Sequence, residues 1–409
     1  MGKAIVAAAA LAACGWVGAV LPHGTDARAA AEDAAGKGFA LRTNMVLNRS
    51  FFLSWDEVPE ENFGRYEVYA GPAPGPLPEA PVAVYGETDH CYHSLRGLEP
   101  ETEYAARVRL VHADGTPPEW SETVRATTLR DGFPEGTPPS KIVIPTFMYH
   151  HVRPLATFPP GVDLGGWYST ESFERDLAWM KAHNIHGVTS ADILDGRLPE
   201  NPVFLTFDDG YTDFLDYAVP LLAKYGFPAA NAVVTQLPAG QSRWAVPEWP
   251  LDTLMTWPQI RKCLQQGMEI GGHTQTHVNL AQHPENIGQI QGSFDDLVSA
   301  LGETPLYFCY PWGMDGHDLL WAKNAVRAAG YRLATRTWPP RRAQLASDTM
   351  FLPRQFAVEG DSLEDFIRKA GFRVEEPEPA EEQPAPDAPP AAPEGTQAGE
   401  EAGKGKEAA

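Results

Sequence analysis

At Ile142 the hydrophobic pattern of this 409-residue chain changes period. Upstream, from Leu41 to Leu129, apolar and polar residues alternate in short runs: Ser50-Phe51-Phe52-Leu53-Ser54-Trp55, Tyr66-Glu67-Val68-Tyr69 and Tyr104-Ala105-Ala106-Arg107-Val108-Arg109-Leu110. Gly/Pro turns separate them. Alternation of this kind buries one strand face, and its repetition at this spacing predicts an all-β sandwich. Downstream, apolar strand candidates at 142–149, 202–207, 229–235, 268–272, 306–311 and 350–357 alternate with helix-length periods at 171–184, 212–225, 257–266, 286–301, 317–329 and 362–370. Such an order predicts an α/β domain of (β/α) barrel type, distorted or incomplete, with about six or seven strands rather than eight. A Ser/Thr pair at Ser169-Thr170 is placed to cap the first of those helices. The chain is therefore multidomain, with the sandwich over 41–129, a Gly/Pro/Ser linker over 130–141 and the α/β domain over 142–373.

The termini read differently. Lys3 followed by the Ala-rich apolar run to Leu21, with Ala27-Arg28-Ala29 behind it, predicts an export signal over 1–29 and a small-residue linker over 30–40. A lipobox-like Leu11-Ala12-Ala13-Cys14 offers a second reading, with Cys14 lipidated. Either places the protein in the periplasm, on the cell envelope or outside the cell. The segment 374–409 is Pro, Ala, Glu and Gly, too poor in apolar surface to offset chain entropy, and is expected to be a disordered acidic spacer. Net charge is −22, which excludes a phosphate-backbone partner that needs a basic footprint. Cys91, Cys263 and Cys309 form no disulfide framework; a Cys263–Cys309 bridge and buried free thiols both stay open.

The chemistry-bearing residues lie in the α/β part. Thr206-Phe207-Asp208-Asp209-Gly210 puts two carboxylates at the end of an apolar strand, where barrel active sites project. An Asp before a helix is also a common cap, but a doubled Asp is more than capping needs. His273-Thr274-Gln275-Thr276-His277 sets two imidazoles four residues apart, on one face if the segment is helical. Gly271-Gly272 before them permits a sharp turn. Thr274 follows the first His, so this is not the zinc-protease helix, which needs Glu there. Two His and one carboxylate make a three-ligand face for a divalent ion with open positions for water and substrate. The spare Asp can act as a base, which completes the parts for hydrolysing an amide or ester.

Two families resemble these segments. Residues 41–129, with Trp55 on an early strand, Gly64 to Tyr69 after it, and Leu95 to Tyr104 as a leucine-proline-tyrosine corner, are similar to fibronectin type III modules. Residues 142–373 resemble the polysaccharide deacetylases of carbohydrate esterase family four, and within them the poly-β-1,6-N-acetylglucosamine deacetylases of exopolysaccharide and biofilm systems. The resemblance implies Asp208 as base, with Asp209, His273 and His277 as ligands of zinc, or of nickel, cobalt or iron(II). It implies Tyr310-Pro311-Trp312 and Tyr211 along the substrate groove, with the Trp312 backbone N–H facing the oxyanion. Cys309 stands where the family often has an arginine against the base, and Arg354 is the candidate replacement. No late Leu-x-His motif is present; Met148-Tyr149-His150-His151-Val152 matches a permuted arrangement in which His150, or in reserve His151, is the acid. Trp167, Trp244 and Trp249 are further stacking candidates for sugar rings. The implied activity is release of acetate from an N-acetylglucosamine polymer. Alternatives are peptidoglycan, chitin oligomers or O-acetyl esters as substrate, or a weakly catalytic glycan binder. The sandwich would serve as an adaptor toward a cell-envelope or protein partner.

Overall fold

A computed structural model describes residues 39–372 apart from 162–163, 239, 241, 243–252, 315–319 and 338–341. The expected export signal, the lipobox reading at Cys14, the acidic tail, Trp244 and Trp249 lie outside the described residues, as does nearly all of the 30–40 linker. Among the described residues no helix is long and apolar enough to cross a membrane.

The N-terminal part is two antiparallel sheets. One has three strands, Leu41–Asn44, Ser50–Trp55 and Tyr92–Arg96; the other is built on the long pair Phe63–Pro72 and Glu103–His112. Period-two alternation sends Phe51, Leu53 and Trp55 from the first sheet and Tyr66, Val68 and Val108 from the second into one buried cluster. Tyr104 is buried there, and its hydroxyl accepts the Glu99 N–H at 2.9 Å, pinning the corner between strands. Met45 and Phe52 leave that cluster and pack into the core of the next domain. Polar ties follow across the same seam: Asn48 Nδ2 donates to the Arg197 carbonyl at 3.1 Å, and Gln265 Nε2 to the Asp89 carbonyl at 2.8 Å.

The second part is a nearly closed parallel barrel. Its strands are β1 (Thr146–Tyr149), β2 (Pro202–Asp209), β3 (Ala230–Val233), β4 (Glu269–Gly272), β5 (Tyr307–Cys309) and β6 (Leu333–Arg336), each hydrogen-bonded to the next. All eight residues of β2 are buried, as a strand covered on both faces requires. Closure comes from the segment expected as one strand at 350–357. It divides into β7 (Leu352–Pro353), which pairs with β6, and β8 (Gln355–Phe356), which pairs with β1. Arg354 is the single residue between them and sits on the barrel seam.

Other differences from expectation have local causes. The 142–149 strand divides at Pro145, which has no N–H to give a ladder; Val143–Ile144 pairs instead with Ala343–Gln344. The helix expected at 212–225 opens as a π-helical turn, Phe214–Ala218, before α-helix Val219–Tyr225, because Pro220 cannot donate to the carbonyl four residues back. Strand β6 was not expected, since Arg332 and Arg336 flank and interrupt its short apolar run. The six-residue helix Ser190–Asp195 was too short for its period to show; a reciprocal capping box between Thr189 and Asp192 starts it.

Candidate active site

Parallel register brings the C-terminal ends of the strands to one rim: His150 follows β1, Asp208 and Asp209 end β2, His273 follows β4, Tyr310 follows β5, and Arg354 links β7 to β8. Successive strand residues normally point to opposite faces. Asp209 has φ 78°, left-handed, which breaks that alternation as the chain leaves β2.

Asp209 Oδ1 lies 3.3 Å from His273 Nε2 and 3.2 Å from His277 Nε2. Among the described residues no hydrogen-bond donor meets this buried oxygen. Two ligands held at about 2.0–2.2 Å from a shared ion at the tetrahedral angle are themselves about 3.3–3.6 Å apart, so the spacing is close to that of ligands around one cation. His273 Nδ1 donates to the Cys309 carbonyl at 2.8 Å, which turns Nε2 toward Asp209. Burial pushes the ring down, but Cys309 and Asp209 more than offset this and raise it well above its ordinary value, so a cation bound there would have to displace the Nε2 proton. Burial pushes the Asp209 carboxyl up, but the neighbouring His277 and His273 pull it well below the usual range, so it is ionised. Burial holds His277 below its ordinary value, which favours the neutral, ligating form. The residues present therefore fit a divalent ion.

The two histidines do not meet on a helix, as their spacing predicted. Residues 274–276 form a turn, with Thr274 and His277 both at φ 60°. Left-handed φ at non-glycine residues costs on the order of 1 kcal/mol each, a strain seen where surrounding structure holds a functional geometry. Gly271 and Gly272 lie inside β4 and are needed for space rather than turning. A Cβ on Gly272 would sit 2.1 Å from the Tyr331 hydroxyl, and one on Gly271 2.4 Å from the Tyr307 carbonyl oxygen.

Asp208 is held differently. Arg354 Nη1 and Nη2 donate to its two oxygens at 2.6 and 2.7 Å, a bidentate grip. Arg354 is itself buried and also donates to Thr206 Oγ1 at 3.1 Å and Thr337 Oγ1 at 2.9 Å. Burial pushes the Asp208 carboxyl up, and the guanidinium more than offsets this, bringing it down to about 2. Thr337 was not foreseen; a lone threonine after a strand carries no signal in sequence.

His150 is partly exposed, with Nε2 3.9 Å from Asp208 Oδ2. His151 points elsewhere. Its Nδ1 is 2.8 Å from Asp213 Oδ2, and its ring lies against Trp167 and Tyr211, with centroids 4.3 and 3.9 Å away. Three groove assignments need correction. Tyr310 is fully buried, with its ring against Phe308 and Phe351; Pro311 is buried; and Tyr211 is buried against His151. None presents a side chain to a ligand. Trp167 is buried for the same reason and is no sugar platform. Trp312 is the exception, 52% exposed, its indole donating to the His277 carbonyl at 3.1 Å. Cys263 and Cys309 are both free and buried, Cys263 against Met255 and Cys309 at the end of β5, so they form no bridge.

Residues 195–334 match the family model described as polysaccharide deacetylase. The chain carries a polysaccharide deacetylase domain. The match spans Asp208, Asp209, His273, His277 and Trp312 of the deacetylase domain, whereas His150 and Arg354 lie outside it and join the site through barrel closure. The chain is 25% identical over 179 residues to a Bacillus subtilis protein named as a polysaccharide deacetylase, YxkH, covering 41% of this chain and 58% of that protein. It is 23% identical over 218 residues to the poly-beta-1,6-N-acetyl-D-glucosamine N-deacetylase of Staphylococcus aureus, covering 49% of this chain and 71% of the other. Among solved structures, a polysaccharide deacetylase from Bacillus cereus superposes with TM-score 0.48 at 14% identity, over 82% of this chain and all of that one.

Proposed function

We propose that this protein is an exported, metal-dependent hydrolase that removes acetyl groups from the amide nitrogens of an N-acetylglucosamine polymer. The observation that carries the proposal is the convergence of Asp209, His273 and His277 beside a second carboxylate gripped by a buried arginine. The Staphylococcus aureus relative's name supports the glycan class. The apolar N-terminal run with Ala27-Arg28-Ala29 supports export.

Asp209, His273 and His277 would hold the ion, with zinc the first choice for two imidazoles and one carboxylate. Bound there, it would supply Lewis acidity toward the acetyl carbonyl and toward water. Asp208 is the base that takes the proton of the attacking water. Kept ionised by Arg354, it is ready for this at any pH well above 2. Arg354 fixes the plane of that carboxylate through two hydrogen bonds. The Trp312 backbone N–H donates to the oxyanion of the tetrahedral species. His150, across from Asp208, gives its proton to the departing amine, so that acetate and a glucosamine unit leave. Trp312, exposed at the rim, offers its indole face to a sugar ring. The two-sheet module resembling fibronectin type III is an adaptor toward a cell-envelope or protein partner.

The test is metal content together with acetate release from poly-N-acetylglucosamine, chitin oligomers and peptidoglycan, for the native protein and Asp208→Asn. The variant is expected to keep stoichiometric metal and lose at least about 100-fold in turnover, the lower end for removing a general base. Native protein that binds metal and releases no acetate from any of the three would refute the assignment.

A further inference from the structure

The turn that carries both histidines is strained, with Thr274 and His277 left-handed, and its middle is met by a helix that contributes no side chain to the site directly. Helix Gly288–Leu301 runs beside β4 and presents Gln289, Gly292 and Asp296 at intervals of three and four, hence on one face. Each meets the middle of the turn. Gln289 Oε1 accepts from the Thr276 N–H at 3.0 Å and from the Thr276 hydroxyl at 2.9 Å. Asp296 Oδ2 accepts from Gln275 Nε2 at 2.9 Å and from the Thr235 hydroxyl at 2.7 Å. Gly292 makes the room: a Cβ there would lie 2.3 Å from the Gln275 side-chain carbonyl carbon.

Asp296 thus ties two loops with one oxygen. Thr235 belongs to the loop after β3 and Gln275 to the loop after β4, and the same loops share backbone bonds from Thr235 N to the Thr274 carbonyl at 3.3 Å and from Gln236 N to the Gln275 carbonyl at 3.0 Å. The turn residues so held, Gln275 and Thr276, stand between Thr274 and His277, both left-handed. If the turn relaxed to right-handed φ, the His277 ring would swing away from Asp209. The indole bond from Trp312 to the His277 carbonyl holds the far end.

We propose that Asp296, with Gln289 and the space left by Gly292, is a positioning set that keeps the His273–His277 turn in its ligating shape, so that metal affinity is set partly by a helix outside the ligand shell. This rests on the metal-site reading above. Residues that orient ligands typically change metal affinity by about 10–100-fold when removed. The same range is expected for Asp296→Ala. Asp296→Asn keeps an oxygen able to accept from Thr235 or Gln275 and should recover most of the loss. Gly292→Ala leaves every hydrogen-bonding group in place yet pushes the Gln275 amide off Asp296, and should weaken metal binding in the same direction.

The experiment is a chelator-competition titration of zinc into the apoprotein of the full chain, without substrate, for native protein, Asp296→Ala, Asp296→Asn, Gly292→Ala and His273→Ala. It is paired with the unfolding midpoint of each metal-free form. The expected result is an order of native ≈ Asp296→Asn > Gly292→Ala ≈ Asp296→Ala > His273→Ala in affinity, measured well below every midpoint. A role confined to stability would lower the midpoint of Asp296→Ala and leave its zinc affinity native, and that result overturns the proposal. If Asp296→Ala does not fold, Gly292→Ala with native affinity overturns it equally. Native protein that binds no zinc, or His273→Ala that binds as native, would instead refute the metal site itself.

Discussion

Replacing Arg354 by methionine tests the logic of the site most directly. Methionine keeps much of the stem's volume and removes the guanidinium. In the native fold Asp208 lies at about 2 against an ordinary 3.8. At about 1.36 kcal/mol per pKa unit, the ionised pair therefore contributes about 2.5 kcal/mol at neutral pH. Because the folded value is the lower one, that contribution is present above pH 3.8 and is lost as pH falls through 2. In Arg354→Met the burial that now opposes the charge acts alone, and the carboxyl must rise above its ordinary value. Leaving one member of a buried pair uncompensated costs about 3–5 kcal/mol. The variant should therefore be about 3–5 kcal/mol less stable at pH 7. The deficit should shrink by at least about 1 kcal/mol on going to pH 3, where the native protein begins to lose its own advantage. Urea unfolding followed by circular dichroism at a series of pH values measures both. In parallel, the acid limb of the acetate-release profile should move to higher pH. A variant with native stability, or a deficit that does not change with pH, would refute the argument that Arg354 holds the base ionised.

His150→Ala should lower kcat on N-acetylated glycan by about 10²–10⁴-fold while leaving hydrolysis of an aryl acetate, whose leaving group needs no proton, within a few fold; equal losses on both substrates would remove His150 from the acid role. Gly272→Ala places a methyl 2.1 Å from the Tyr331 hydroxyl, itself bonded to Ser293 at 2.9 Å, and should cost at least about 2 kcal/mol, part of it recovered by Tyr331→Phe. Glu269, whose carboxylate accepts the Ser190 N–H at 2.9 Å, is pushed up by burial to about 7. Its folded value exceeds its unfolded one, so its stabilising effect is present below about 4.5 and lost as pH rises through 7. Glu269→Gln should flatten that dependence and gain stability at pH 8 relative to pH 5, by at most about 3 kcal/mol, read from paired thermal melts.

The residues that the fold brings together, Asp208, Asp209, His273 and His277, were legible because their signal is chemical identity at strand ends: two adjacent aspartates after Val203-Phe204-Leu205, and two histidines after Met268-Glu269-Ile270. Arg354 was readable only as a replacement for an arginine that Cys309 displaces. What sequence spacing misjudged was conformation. The interval between His273 and His277 suits a helix and a tight turn alike, and only the left-handed φ at Thr274 and His277 separates them. The aromatic residues misled for a related reason. Tyr211, Tyr310 and Trp167 are flat apolar surfaces whether they face sugar or core, and the side of the strand end they occupy depends on barrel closure, a contact between residues about 200 positions apart such as Phe147 and Gln355. The Gln289, Gly292 and Asp296 face escaped notice because polar residues on a helix normally face water.

The placement of Arg354 has a consequence for how the molecule comes into being. Synthesis proceeds from the N-terminus, so Asp208, Asp209, His273 and His277 all leave the ribosome well before residue 354 does. Until then Asp208 lacks its counter-charge and the first and sixth strands have no bridge between them. One late residue thus completes the wall and supplies the counter-charge of Asp208 together, and any nascent chain cut short of it holds that buried carboxylate without its partner.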